Sequence, residues 1–327
     1  MLKQFTSAML LSLAGVTALG IFDHANAQSY PAKPIRLIVP YPPGATTDAT
    51  ARSVAGKVSE RLKQQIVVDN IGGAGGVIAA ENAARAAPDG YTLLFGTSAA
   101  LIIGPLLNKA LPYHPIRDFS PISQIVSNPM LMVVNASVPA NNAAELIALA
   151  RRTPGALNYG SAGPGTPNHL ATELLKSMAG INMIHVAYRG SAQALIDLVS
   201  GRVQFYMASV PGLLPSVKSG KLKAMAVSTA RRSGVLPDLP ALSESTVPGY
   251  EFEVWYGLFA PAKTSTTIVS RLNAETVAVL SEPEFVKSLA VQGSEARGGT
   301  PEALGAIVRG EYERLGKVVE SIGPITQ

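Results

Sequence analysis

The feature that most constrains this chain is an alternation. Short, almost wholly apolar runs recur at 35–39, 66–68, 91–95, 130–134, 203–207 and 223–227, and stretches of helical periodicity separate them. Runs that are apolar on both faces suit a parallel sheet covered on both sides. Over 48–63, Ala51, Val54, Ala55, Val58 and Leu62 keep one stripe, with Asp48 as the N-cap. Over 142–152, Asn142-x-x-Glu145 has the form of a capping box, and Pro154-Gly155 stops the helix. Over 167–179, Thr166 caps, Pro167 takes the first helical position and Gly180 ends the helix. Its buried stripe reads Leu170, Leu174, Leu175 and Met178. Thr300-Pro301 opens a long C-terminal helix through Leu304, Ile307, Val308, Leu315 and Val319. Such alternation builds doubly wound α/β sheets, whose ligands sit at the carboxyl ends of the strands.

Two of those carboxyl ends share one design. Tyr41-Pro42-Pro43-Gly44-Ala45-Thr46-Thr47-Asp48 follows the first run, and Tyr159-Gly160-Ser161-Ala162-Gly163-Pro164-Gly165-Thr166-Pro167 follows a short strand after the helix 142–152. Each is a strand, a loop of small and hydroxyl residues, and a helix start. A loop of this kind aims free N–H groups and the positive end of a helix dipole at one point, which makes an anion site. Two such sites can close on one carboxylated molecule from opposite sides. Thr97 and Ser98 follow the run 91–95 at another carboxyl end, and Ser209 ends the run 203–207 more weakly. Tyr188-Arg189-Gly190-Ser191 precedes a helix carrying Leu195, Leu198 and Val199; the planar fork of Arg189 suits a carboxylate. Trp255 reads as core, whereas Tyr256 can line a cleft.

The N-terminus reads as an export signal. Lys3 is followed by an uncharged apolar run over 8–22 and by Ala25-Asn26-Ala27, which predicts cleavage after Ala27 and a mature start at Gln28. The run is too short for a spanning helix. The chain has no Cys, so a lipid-modified cysteine and any disulfide are excluded, and a soluble periplasmic protein fits. Hydrophobic residues make up 47% and charged residues 15%, the balance of a chain with a large core. The net charge of +5 is scattered and forms no block, which argues against nucleic acid as a partner.

Enzymatic motifs are incomplete. Tyr159-Gly160-Ser161-Ala162-Gly163 nearly has the form G-x-S-x-G, but its first position is Tyr, and His169 follows Ser161 by only eight residues. A serine hydrolase using Ser161 is the rival reading. Gly72-Gly73-Ala74-Gly75-Gly76 fails the dinucleotide fingerprint because Ile78 stands where its third Gly belongs; it reads as a turn into the helix 77–87. With only His114, His169 and His185 in the mature chain, no metal site is expected, and no cofactor.

Two extended stretches, 118–128 and 248–261, suit crossings between lobes. They divide the chain into a signal peptide (1–27), a discontinuous lobe one (28–128 plus 252–327) and lobe two (129–251). Several segments together resemble the extracytoplasmic solute receptors of the tripartite tricarboxylate transporter family, of the Bug (Bordetella uptake gene) type. They are 41–48 with Ala51-Arg52, Pro88-Asp89-Gly90-Tyr91-Thr92-Leu93-Leu94, Leu157-Asn158-Tyr159-Gly160-Ser161, His169-Leu170, Val186-Ala187-Tyr188-Arg189-Gly190 and Trp255-Tyr256-Gly257-Leu258-Phe259-Ala260-Pro261. They span the mature chain in the family's order.

The resemblance implies a two-lobed, type II periplasmic-binding-protein fold with two crossover strands, a non-enzymatic receptor that is a monomer, and lobe closure around a small carboxylate. It implies that the loops 42–48 and 160–166 grip the carboxylate, partly through waters, and that the membrane components of the transporter receive it in transient contact. The site then comprises Tyr41, Pro43, Gly44, Ala45, Thr46, Thr47, Asp48, Thr97 and Ser98 from lobe one. Ser161, Ala162, Gly163, Thr166, His169, Tyr188, Arg189 and Ser209 complete it from lobe two, with Tyr256 on the second crossing. Two positions depart from the family pattern: Ala45 replaces a Gly, which is strained if the backbone there needs positive φ, and Arg189-Gly190-Ser191 replaces Lys-Gly-Gly. Ligands in view are tricarboxylates, C4 dicarboxylates, acidic amino acids and aromatic carboxylates such as nicotinate or terephthalate; Arg189 favours a second carboxylate. Signalling to a sensor kinase is the alternative output.

Overall fold

The computed structural model describes residues 30–323; the expected export signal and cleavage site lie outside them. In chain order, the first third contains β1 (Ile35–Val39), α1 (Thr46–Leu62), β2 (Ile66–Asn70), α2 (Val77–Ala84), β3 (Thr92–Thr97) and α3 (Gly104–Leu107). Then come β4 (Phe119–Asn135), α4 (Ala143–Arg152), β5 (Asn158–Ser161), α5 (Pro167–Ala179), β6 (Ile184–Ala187), α6 (Ser191–Ser200), β7 (Phe205–Ser209), α7 (Val210–Lys218) and β8 (Leu222–Val227). The chain ends with α8 (Leu242–Ser245), β9 (Glu253–Pro261), α9 (Thr266–Leu280), α10 (Pro283–Val291), β10 (Glu295–Ala296) and α11 (Pro301–Ile322).

The strands form two α/β layers joined by β4 and β9. In the first, β1 lies between β2 and β3, all parallel, with Ile35 beside Ile66 and Leu37 beside Leu93. β9 then joins β3 antiparallel, Thr97 facing Tyr256. In the second, β5 is parallel to both β6 and β7. The 17-residue β4 serves both: it pairs with β9 from Phe119 to Pro129, then with β7 and β8 from Met130 onward.

Alternation along each strand explains the continuous apolar runs. Ile35, Leu37 and Val39 pack with Ala51, Val54, Ala55 and Val58 of α1, while Ile38 belongs to the cluster containing Ala79, Ala80 and Ala83 of α2. In β4, Met130, Met132 and Val134 join the cluster of α4 and α5, and Leu131 and Val133 join that of α6. A strand covered on both faces needs apolar residues on both. Each fully buried aliphatic side chain contributes about 1.5–3 kcal/mol.

Two expectations are corrected, and the condition set on Ala45 is not met. Helix α1 begins at Thr46, not Asp48: Ala45 is the N-cap, and Asp48 sits inside the first turn, accepting the Gly44 N–H at 2.9 Å. Ala45 carries no strain, because its φ is −68° and Gly44 takes the positive φ of 86°. In α5, Leu170, Leu174 and Leu175 are buried as expected, but Met178 is 39% exposed, on the rim of a groove shared with α11. Thr166 does stand at the N-cap of α5, although its hydroxyl donates to the Gly163 carbonyl rather than accepting from the helix.

Candidate ligand-binding site

A cavity of about 800 Å³ opens in front of the crossing strands. Its floor includes Asn128, Met130, Val254 and Tyr256 of β4 and β9. Four helix starts face it: Gly44 and Thr46 at α1, Pro167 and Asn168 at α5, Ser191 and Ala192 at α6, and Pro211 and Gly212 at α7. The first turn of each helix leaves N–H groups without intrahelical partners, and the aligned peptide dipoles add partial positive charge. No Lys or Arg is among the lining residues. The cavity therefore meets an anion with oriented N–H groups and hydroxyls rather than with a side-chain cation.

The lobe-one loop is held by a carboxylate. Asp48 accepts from the Gly44 N–H, from Asn70 Nδ2 at 2.8 Å and from Arg52 Nε, and Asn70 also donates to the Tyr41 carbonyl at 2.8 Å. Desolvation pushes the Asp48 carboxyl up, but the hydrogen bonds from Arg52, Gly44 and Asn70 outweigh it and hold the pKa below the usual value. The negative charge of Asp48 is thus consumed within the loop. The N–H groups of Thr46, Thr47 and Asp48 make no hydrogen bond among the described residues. Thr47 Oγ1 donates to the Tyr256 hydroxyl at 3.1 Å, tying the loop to β9.

The lobe-two loop is held by neutral groups. Ser161 is fully buried; its Oγ lies 2.6 Å from His185 Nε2 and accepts the Gly163 N–H at 3.1 Å. Gly165 N–H donates to His169 Nδ1 at 3.1 Å. Gly163 and Gly165 have φ of 132° and 74°, and the first lies far from the left-handed well that other residues tolerate. Behind the loop, the rings of Tyr159, His185 and His169 stack, with centroids 4.8 Å and 4.2 Å apart. The Tyr159 hydroxyl bonds to Glu173, whose Oε1 also takes Lys176 Nζ at 2.7 Å.

Of the residues read from the sequence, Gly44, Thr46, Ser209 and Tyr256 line the cavity. Tyr41 is half-buried, Pro43 is exposed, and Ala45, Thr47 and Asp48 shape the loop from behind. Thr97 and Ser98 are buried; Thr97 Oγ1 accepts the Ala100 N–H, and the Ser98 hydroxyl has no partner. Ser161, Ala162, Gly163, Thr166 and His169 build the lobe-two loop without lining the cavity. Tyr188 turns its hydroxyl to Asp197 at 2.9 Å, and Arg189 is exposed, with no hydrogen bond or ion pair among the described residues. Sequence reasoning missed Asn168 and Tyr206, and it named Ser191 only as the end of the loop before α6. The Tyr206 hydroxyl is buried in the cavity wall with no partner, within a run that read as core. It also missed the pairing of Ser161 with His185 in place of His169.

The Ser161–His185 contact has a nucleophile–base distance, but Ser161 has no exposed surface, and no carboxylate bonds His185 among the described residues. That pair cannot present an alkoxide to a substrate. A second cavity of about 550 Å³ lies behind the crossing strands, lined by Arg231, Arg232, Arg297 and Arg314. Strand alternation puts Glu253 and Trp255 on that side and Val254 and Tyr256 in front. The rear arginines Arg232, Arg297 and Arg314 pair with Glu244, Glu253, Glu295 and Glu251, so their charge is largely matched. Among the described residues, no group of three or more His, Asp or Glu can hold a metal, and no helix is long and apolar enough to cross a membrane.

A family profile described as "Tripartite tricarboxylate transporter family receptor" matches residues 50–324. The chain belongs to this family. Protein BugT of Bordetella pertussis is 35% identical over 319 residues, which cover 96% of this chain and 97% of that protein, so the chain is a receptor of the Bug type. Among solved structures, R. palustris Rpa4515 with adipate is 37% identical, covers 89% of this chain and 98% of its own, and superposes with a TM-score of 0.71. MatC of Rhodopseudomonas palustris with bound malate is 30% identical over 88% of this chain and 99% of its own, with a TM-score of 0.67. A TctC solute-binding protein from Polaromonas with no ligand is 27% identical over 89% and 99%, with a TM-score of 0.81. The Bug-type receptor therefore has the two-lobed binding-protein fold, and its family and fold neighbours are solute-binding proteins rather than enzymes.

Proposed function

We propose that this receptor works in the periplasm, captures a small aliphatic dicarboxylate between its lobes and delivers it to the membrane components of a tripartite tricarboxylate transporter. The observation that carries this reading is the convergence of four helix starts on one cavity that has no cation in its lining. Its volume lies in the range of small-molecule sites, about 300–1,000 Å³. Two related proteins were solved with adipate and with malate, which favours two carboxylates over one. The loops 42–48 and 160–166 receive one carboxylate through the free N–H groups at Thr46–Asp48 and the start of α5, and Tyr256 completes the wall. Arg189, exposed and unpaired among the described residues, is free to meet the second carboxylate on closure.

The hinge falls where β4 changes partners, between Pro129 and Met130, which supports lobes of 28–128 plus 252–327 and of 129–251. Ligand touches both lobes only when they close, so it shifts the population toward closure by that contact energy. The better superposition on the more divergent, unliganded relative is the pattern expected when lobe separation, rather than sequence distance, sets the fit. A thermal-shift screen tests the ligand class, since a bound ligand stabilises by mass action. Aliphatic dicarboxylates should raise Tm more than citrate, nicotinate, terephthalate or acidic amino acids. No shift with any carboxylate would overturn the reading.

A further inference from the structure

The two histidines behind the lobe-two loop have no role in the reading above, yet each touches a loop atom that fixes its shape. We propose that His169 and His185 are positioning residues of the carboxylate site: neutral, they hold the loop 161–166 in its receiving form, and protonated, they release it, so acid switches capture off. The inference rests on the carboxylate reading of that loop.

The chemistry follows from the hydrogen bonds. A neutral imidazole offers one donor and one acceptor, and an imidazolium offers two donors. His169 Nδ1 accepts the Gly165 N–H at 3.1 Å, so the ring carries its proton on Nε2. A proton added to Nδ1 would face that N–H donor to donor, and the bond is lost. Ser161 Oγ lies 2.6 Å from His185 Nε2 and 3.1 Å from both the Gly163 nitrogen and the Gly163 carbonyl oxygen; with its proton directed to Nε2 it ties the ring to the loop, and a proton added at Nε2 breaks that tie. The two rings stack at 4.2 Å and 22°, so a charge on one opposes a charge on the other. Glycine at 163 takes φ of 132° without a Cβ penalty and leaves the backbone many alternatives, so these bonds are what select the receiving form.

The groups facing the pair are few. From α5 come Glu173 and Lys176, and from β5 comes Tyr159, whose ring stacks on His185. Glu173 favours the charged imidazoles, but it is bonded to Tyr159 and paired with Lys176, which opposes protonation. Burial dominates both histidines: it lowers the pKa of His169, and with the opposing field of His169 it lowers His185 to about 4. The unfolded chain therefore binds more protons than the folded one between the ordinary 6.5 and about 4, and stability drops as the pH falls through that window.

Replacement by a residue that keeps the acceptor but cannot titrate separates positioning from packing. Asn at 169 offers Oδ1 near the place of Nδ1, and Gln at 185 offers an amide near the place of Nε2. Adipate affinity of the full mature protein should fall about tenfold or more between pH 7.5 and pH 4. In His169→Asn combined with His185→Gln, that fall should shrink to the part caused by protonation of adipate itself, which is common to both proteins. His169→Leu should bind weakly at both pH values. In ligand-free protein, the Gly165 amide resonance should titrate together with the His169 ring. A double variant that keeps the full wild-type acid loss, or a Gly165 amide that ignores pH while His169 titrates, would overturn the proposal. Failure of the wild type to bind adipate, malate or any other carboxylate would instead strike the functional reading, and the amide titration would still decide whether the histidines hold the loop.

Discussion

The two loops that lead into the cavity's helix starts at α1 and α5 are alike in sequence design and opposite in how they are held. The lobe-one loop is braced by an ionised carboxylate, Asp48, with Asn70 and Arg52 as donors. The lobe-two loop is braced by neutral acceptors, Ser161 and His169, with His185 behind. Both arrangements use side chains to satisfy loop N–H groups and leave the helix-start N–H groups free for ligand. They differ in what acid does to them. The contribution of Asp48 is present above the ordinary carboxylate pKa and is lost only as the pH falls through its lowered value. The histidine contribution begins to fail at a pH above that.

The largest way to break this contrast is to remove the lobe-one brace. Asp48→Ala leaves the Gly44 N–H and one of the two Asn70 amide hydrogens without an acceptor, while the other still meets the Tyr41 carbonyl. It should cost about 2–3 kcal/mol, read as a fall in chemical-denaturation midpoint. Next comes the pair of glycines. Gly163→Ala should cost about 2 kcal/mol, because its φ lies outside the left-handed well and the new Cβ meets the Tyr188 carbonyl at 3.4 Å. Gly44→Ala, at φ 86° with open space around it, should cost only about 1 kcal/mol. Equal costs at the two sites would remove the claim that the lobe-two loop depends more on its glycine. Hydrogen exchange sharpens the contrast further. Between pH 7 and pH 4, protection at Gly163 and Gly165 should fall roughly tenfold relative to Gly44, equivalent to about 1.4 kcal/mol. The smallest effect is Thr47→Val, which deletes the bond to Tyr256 and should cost about 1 kcal/mol.

Much of the frame was legible in the sequence because its signals are local. The run at Ile35–Val39, the stripe of α1 and the Thr166-Pro167…Gly180 boundaries of α5 each lie within a few residues of the features that define them. The crossing half of β4 was read only as an extended stretch. Its residues Ser120, Pro121, Ser123 and Gln124 look like a loop, and only pairing with β9 makes them a strand. The site was legible as two loops but not as a mechanism of support. Asp48 looked like a cap because an acid near a helix start usually is one, and nothing local shows that Asn70 will meet it. His185 stands 24 residues from Ser161 on the neighbouring parallel strand, where Ser161 lies beside Ala187. Tyr206 read as core, and its unpartnered hydroxyl becomes visible only once α6 and β7 share a wall.

Solution scattering tests the central claim most directly, since both loops can grip one ligand only if the lobes close. With the carboxylate selected by the thermal-shift screen at saturation, the radius of gyration should fall, and it should not fall with a carboxylate that gives no shift. A ligand that binds and stabilises the protein while leaving the radius of gyration unchanged would contradict closure of the two loops on one molecule.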